Sequence, residues 1–176
     1  MKTVWIYKGL PASGKSTAAK IVIDKNPGKY KRVNKDDLRL MLDASKWSKT
    51  NEKFVLLVRD NIIIEALNDG KHIIIDDTNL HPKHEEDIRQ LVKNYNFENN
   101  SNTQVMVKFF DVNVDECIKR DLHRPKSVGS KVIMDMYNKF IKPENTVNLI
   151  QDDNLPAAII VDVDGTLADK GNRSPF

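Results

Sequence analysis

The sequence predicts an α/β fold: three layers, with a mainly parallel central sheet of about four to five strands flanked by helices. Two observations carry that expectation. Short apolar runs alternate with longer amphipathic stretches, the pattern of strand–helix–strand units. The first apolar run also leads directly into a glycine-containing loop that opens a helix.

Residues 3–8 are apolar over the length of a buried strand. Residues 16–25 read as a helix, stopped by Asn26, Pro27 and Gly28. Residues 31–34 suit a short strand, and residues 36–43 and 51–68 suit helices. The longer helix carries Phe54, Val55, Leu57, Val58, Ile62 and Leu67 at roughly helical spacing, and Asn68, Asp69 and Gly70 end it. Residues 72–76, centred on Ile73, Ile74 and Ile75, are a second strong strand. Residues 82–95 predict a charged helix with Pro82 in its first turn. The Asn-rich segment 97–103 reads as a loop and residues 104–110 as a third strong strand. Residues 113–123 predict a helix with Asn113 at the cap and Glu116 three residues on, the spacing of a capping box. Residues 131–141 are helical. After the polar stretch 142–156, residues 157–163 read as a last apolar strand.

A chain of 176 residues can bury a core without staples. Hydrophobic residues at 40% and charged residues at 30% exclude disordered and collagen-like classes. The net charge of +3 permits a phosphate or nucleic-acid ligand without demanding one. The single cysteine, Cys117, excludes an internal disulfide framework and a cysteine-based zinc site. It shares an apolar stripe with Val114, Ile118 and Leu122 and reads as core. His72, His81, His84 and His123 have no metal-ligand spacing and read as surface or turn residues. No apolar run reaches the ~18 residues of a membrane span, and the N-terminal run is too brief for a secretory signal. A cytoplasmic location is therefore expected, for a host-encoded or a virus-encoded chain alike.

Gly9-Leu10-Pro11-Ala12-Ser13-Gly14-Lys15-Ser16 fits G-x-x-x-x-G-K-[ST] without a mismatch, between an expected strand and an expected helix. Glycines let backbone N–H groups converge on phosphate oxygens, and a helix N-terminus adds partial positive charge. Lys15 can reach β- and γ-phosphates, and the Ser16 hydroxyl can hold Mg²⁺. The expected nucleotide-binding set is Gly9, Pro11, Ala12, Ser13, Gly14, Lys15, Ser16 and Thr17.

That loop alone does not choose the chemistry. Asn34-Lys35-Asp36-Asp37 formally matches the guanine-reading motif N-K-x-D but comes too soon after the loop. Helical spacing puts Asp36 and Arg39 on one face. A kinase needs such a pair: a carboxylate to orient the acceptor hydroxyl and take its proton, and a cation to grip phosphate. An acidic helix start with a solvated arginine is the plainer alternative. Asp76, Asp77 and Asn79 follow the Ile-rich strand, at the edge where α/β ligand sites form. One acid can support Mg²⁺ and the other can cap a helix; the spacing does not say which. Arg120 and Arg124 share a helical face before a short loop, as in a lid over triphosphate, although neighbouring Lys119 and Lys126 also suit a solvated face.

The runs G-L-P-A-S-G-K-S-T, N-K-D-D-L-R and D-D-T-N-L and the R-x-x-x-R pair, in this order over residues 1 to about 145, resemble the phage polynucleotide 5′-kinase/3′-phosphatase family. The resemblance implies that Lys15 and Ser16 bind ATP phosphates with Mg²⁺, Asp36 is the general base and Arg39 contacts the acceptor phosphate. It implies a lid holding Arg120 and Arg124, with Arg124 joining Lys15, Asp36 and Arg39 in catalysis. Asp77 would support the site, as a second candidate for Mg²⁺, with Asn79 on the acceptor side. The expected activity is phosphorylation of the 5′-hydroxyl end of DNA or RNA. Its nucleic-acid partner would be gripped through phosphates by residues such as Lys35 and Arg39.

Residues 159–166 match hhhD-x-D-G-T, which resembles the first motif of haloacid-dehalogenase-type phosphatases. There Asp162 would be the nucleophile and Asp164 the general acid/base. Ten residues follow Thr166, too few for that superfamily's later motifs. The expectation is a kinase domain over residues 1–150, then a linker and a truncated phosphatase start over 151–176. A small-molecule kinase, a phosphatase and a non-catalytic nucleotide-binding module are the rival readings.

Overall fold

The computed structural model describes residues 1–142. The expected strand at 157–163, Asp162, Asp164 and the domain boundary near 150 lie outside the described residues. β1 (Thr3–Lys8), β2 (Tyr30–Val33), β3 (His72–Ile75) and β4 (Gln104–Phe109) form one sheet in the order β2-β3-β1-β4. Every pairing is parallel, with Ile6 opposite both Ile75 and Val107. The helices are α1 (Lys15–Lys25), α2 (Lys35–Asp43), α3 (Lys49–Asn68), α4 (Pro82–Glu98), α5 (Val114–Leu122) and α6 (Ser130–Phe140). Among the described residues no helix is long and apolar enough to cross a membrane.

The strand alternation produces the layers. Val4 and Ile6 of β1, with Ile73 and Ile75 of β3, face a core of Val55, Ile63 and Leu67 from α3 and Ile88, Val92 and Tyr95 from α4. Tyr7 and Ile74 point the other way, onto Ala19 of α1. Ile73, Ile74 and Ile75 are all essentially inaccessible to water, each worth roughly 1.5–3 kcal/mol of burial. A third cluster joins Leu10 of the glycine loop, Leu80, Cys117 of α5 and Ile133 of α6. It fixes the last two helices to the glycine loop.

Element ends depart from the expectation where tertiary contacts decide them. α4 runs on to Glu98, through residues expected to be loop. Phe97 there faces solvent, but the Asn96 side chain hydrogen-bonds both the N–H and the C=O of Thr103, at 2.9 Å each, and pins the turn. Asn113 caps α5 by accepting from Asp115 N, whereas Glu116 pairs with Arg120 at 2.7 Å instead of closing a capping box. Cys117 is fully buried as expected, but Leu122 at the end of its stripe is exposed.

Gly9 sits where β1 meets the loop, at φ 151°. A Cβ there would come within 2.9 Å of the Phe110 carbonyl oxygen and 3.1 Å of Ser13 Oγ. Gly9→Ala is therefore expected to cost about 1–3 kcal/mol of stability. Urea unfolding checks this, and an unchanged midpoint would contradict the close approach.

Candidate active site

Four parallel strands put four successive loops on one edge. The glycine loop follows β1, Asn34 and α2 follow β2, Asp76–Asn79 follow β3, and the segment leading to α5 follows β4. Gly9 N donates to Thr78 O at 3.0 Å, joining the first and third of these loops.

Within the glycine loop, Lys15 is buried and folds back on its own backbone. Its Nζ donates to Leu10 O at 2.6 Å, Gly9 O at 3.0 Å and Ser13 Oγ at 3.2 Å. Burial pushes its pKa down to about 8, against the opposing pull of Asp76; Arg124 lowers it further and Asp77 raises it. Both aspartates and Arg124 thus lie within electrostatic reach of the lysine. Pro11 and Ser13 are buried, Ala12, Gly14 and Ser16 partly so, and Thr17 is exposed.

Asn34 caps α2, accepting from Asp36 N and Asp37 N. This capping turns Asp36 outward, its side chain 84% exposed and paired with Arg39 Nη1 at 2.5 Å. Arg39 is further clamped by Glu52 of α3, through Nε at 2.8 Å and Nη2 at 2.7 Å. That fork is the strong geometry for an arginine–carboxylate pair. It holds Glu52 below the usual carboxylate range and Arg39 above its own. Glu52 was not among the expected site residues. Its signal is the short α2–α3 connection, which brings the second half of α2 back against the first turn of α3.

Asp76 and Asp77 have distinct places. Asp76 is buried and accepts from Arg32 Nη2 at 2.8 Å, while Arg32 Nη1 bonds Asp37. Asp77 Oδ1 accepts the Lys35 N–H at 2.8 Å, so this carboxylate braces the start of α2. Burial pushes the Asp77 pKa up to about 6, although Lys35 opposes the shift. Lys35 is itself buried, not a surface grip for a strand. Asn79, expected on the acceptor side, is also buried, at φ 49°. Its Nδ2 donates to Tyr7 O at 2.8 Å and ties the ends of β1 and β3 together. Of the histidines expected as surface or turn residues, His81 and His123 are exposed, whereas His72 and His84 are partly buried. His72 Nδ1 accepts from Thr3 N, and partly buried His84 is held neutral, its pKa lowered to about 4 by burial and then by Lys35.

Arg120 is engaged with Glu116 on its own helix, while Arg124 Nη1 reaches Asp121 Oδ1 at 3.2 Å. Of the two, Arg124 is the one whose charge Lys15 feels. In the loop after β3, the buried carboxylate oxygens Asp76 Oδ1 and Asp77 Oδ2 have no hydrogen-bond partner among the described residues. Unpaired acceptors beside a phosphate-binding loop fit a hydrated Mg²⁺ shared with triphosphate. No group of three or more His, Cys, Asp or Glu among the described residues would hold a metal alone.

The sequence profile of the family described as "AAA domain" matches residues 4–143. The chain belongs to this family. Among relatives of this AAA-domain protein, one from Autographa californica nuclear polyhedrosis virus is named as a bifunctional polynucleotide kinase/RNA ligase. It is 24% identical over 98% of this chain and 26% of its own length. The L-seryl-tRNA(Sec) kinase of Methanococcus maripaludis is 28% identical over 78% of this chain and 52% of its own. The chain thus spans about a quarter to a half of these curated relatives. A solved structure of the Pnkp1/Rnl/Hen1 RNA repair complex superposes with a TM-score of 0.65 at 28% identity, over 78% of this chain and 43% of the other.

Two pKa values on this edge set a pH prediction. kcat/KM for ATP reports the free enzyme and should fall above pH about 8, as Lys15 loses its proton. A profile still level well above that pH would count against a requirement for the charged lysine. Asp77 acts on stability, and its contribution also declines as pH rises. Its folded pKa is raised, so its neutral form contributes stability at low pH that is lost as pH rises through about 6.

Proposed function

We propose that this chain is a kinase that transfers the γ-phosphoryl group of ATP to the 5′-hydroxyl end of DNA or RNA. One observation carries the reading: Asp36, exposed, and Arg39, clamped by Glu52, share a helical face on the sheet edge that also holds the glycine loop. Lys15, Ser16 and the loop N–H groups hold the triphosphate, with Arg124 closing from the turn after α5. Bound Mg²⁺ would neutralise charge on the transferring phosphoryl group, with Ser16 and the unpaired oxygens of Asp76 and Asp77 around it. Asp36 orients the acceptor hydroxyl and takes its proton. The hydroxyl oxygen bonds to the γ-phosphorus, the bond from that phosphorus to the β–γ bridging oxygen breaks, and ADP leaves. Arg39 grips the phosphate beside the acceptor hydroxyl, so activity on oligonucleotides should decline with salt.

The viral relative's name and the RNA repair complex support a nucleic-acid acceptor. The same reading makes residues 1–150 the kinase domain and takes Asp162 and Asp164 as the opening of a phosphatase motif. The name of the Methanococcus relative favours a second reading, transfer to an alcohol carried on tRNA. The deciding experiment supplies γ-labelled Mg-ATP with a 5′-hydroxyl oligonucleotide and, separately, seryl-tRNA. Label on the oligonucleotide's 5′ end is expected. Label on the seryl hydroxyl alone, or none with ATP binding intact, overturns the polynucleotide reading.

A further inference from the structure

Asp121 occupies a position that local physics disfavours. It lies in the last turn of α5, where the helix dipole opposes negative charge, and its side chain is only 1% exposed. Four donors offset that cost. Oδ2 accepts from Ser127 Oγ at 2.6 Å, Val128 N at 2.9 Å and Gly129 N at 3.0 Å, and Oδ1 accepts from Arg124 Nη1 at 3.2 Å. These bonds hold its carboxyl below the usual range despite burial. One carboxylate therefore fastens the whole turn between α5 and α6. The turn's far end is Gly129, at φ 88°, which caps α6. Its base is anchored, because Cys117 and Ile133 pack on Leu10 of the glycine loop.

Arg124 lies inside this fastened turn, within electrostatic reach of Lys15. Its side chain is 44% exposed and rests on the oxygen that the turn does not use. We propose that Asp121 is the positioning residue of the lid: Oδ2 holds residues 127–129 in shape, and Oδ1 keeps Arg124 aimed at the triphosphate until the nucleotide takes it over. The inference rests on the reading of Arg124 as a lid residue and is independent of which acceptor is used.

The test is Mg-ATP affinity by calorimetry on the whole chain, with no acceptor present, for Arg124→Ala, Asp121→Ala and the double variant. Asp121→Ala should weaken ATP by about tenfold, and the double variant should be no weaker than Arg124→Ala alone, since both changes remove the same contact. Tryptic cleavage after Lys126 should speed up in Asp121→Ala. Additive losses, or an unchanged affinity in Asp121→Ala beside a weakened Arg124→Ala, overturn the inference while leaving Arg124 as a phosphate ligand. Unchanged affinity in Arg124→Ala overturns both the lid reading and this inference. Should Asp121→Ala not fold, Ser127→Ala, which removes one donor, should still weaken ATP by about two- to threefold and add nothing to Arg124→Ala. No effect there overturns the proposal.

Discussion

Asp36→Asn is expected to lower turnover by about 10²–10⁴-fold while leaving ATP affinity nearly unchanged. An asparagine can still hydrogen-bond the acceptor hydroxyl, but it cannot take its proton. The fold should tolerate the change. Asp36 is exposed, its N–H still reaches the Asn34 cap, and Arg39 keeps both bonds to Glu52. Single-turnover transfer to a 5′-hydroxyl oligonucleotide, with ATP affinity measured separately, checks the result. Near-normal turnover would remove Asp36 from the reaction and leave it as a helix-start acid.

Lys15→Ala should reduce kcat/KM for ATP by about 10²–10³-fold, the cost typical of removing one preorganised donor from developing charge. The lysine is already inside the loop, holding Gly9 O, Leu10 O and Ser13 Oγ, and phosphate oxygens would replace those partners. Its effect on stability should be small. The substitution removes three hydrogen bonds but also a buried cation, whose desolvation cost is visible in the pKa lowered to about 8. A variant that melts normally and no longer responds to Mg-ATP is the expected outcome. Retained kcat/KM would mean that the loop's N–H groups alone hold the triphosphate.

The two experiments separate the two halves of the edge. Asp36 and Arg39 stand on α2, braced by Glu52 of α3 and by Asp77 through the Lys35 N–H. Lys15 and Arg124 stand on the glycine loop and the α5–α6 turn, joined through Leu10, Cys117 and Ile133. The link between the halves is the β3 loop, through Gly9 N to Thr78 O and Asn79 to Tyr7 O.

Much of this was legible along the chain. Unbroken apolar runs in residues 3–8 and 72–76 mark strands buried on both faces, and the residues between them mark crossover helices. Parallel strands then bring every loop after a strand to one edge, whatever their order. That alone unites Lys15, Asp36, Asp77 and Arg39 near one site. Caps such as Asn34 and Asn113 were also readable, because a side chain that bonds an N–H two or three residues on is a local device. Tertiary structure alone decided which charged residues are buried and what holds them. Glu52 on Arg39 and Asp121 on the α5–α6 turn look like ordinary polar residues in sequence, and Lys35 and Asn79, expected to meet the acceptor, are instead buried within the fold. The physical reason is that the periodicity of apolar residues reports a face, whereas the burial of a charge depends on partners that other elements bring to it. Those partners come from strand order and helix packing, to which no local pattern in the chain corresponds.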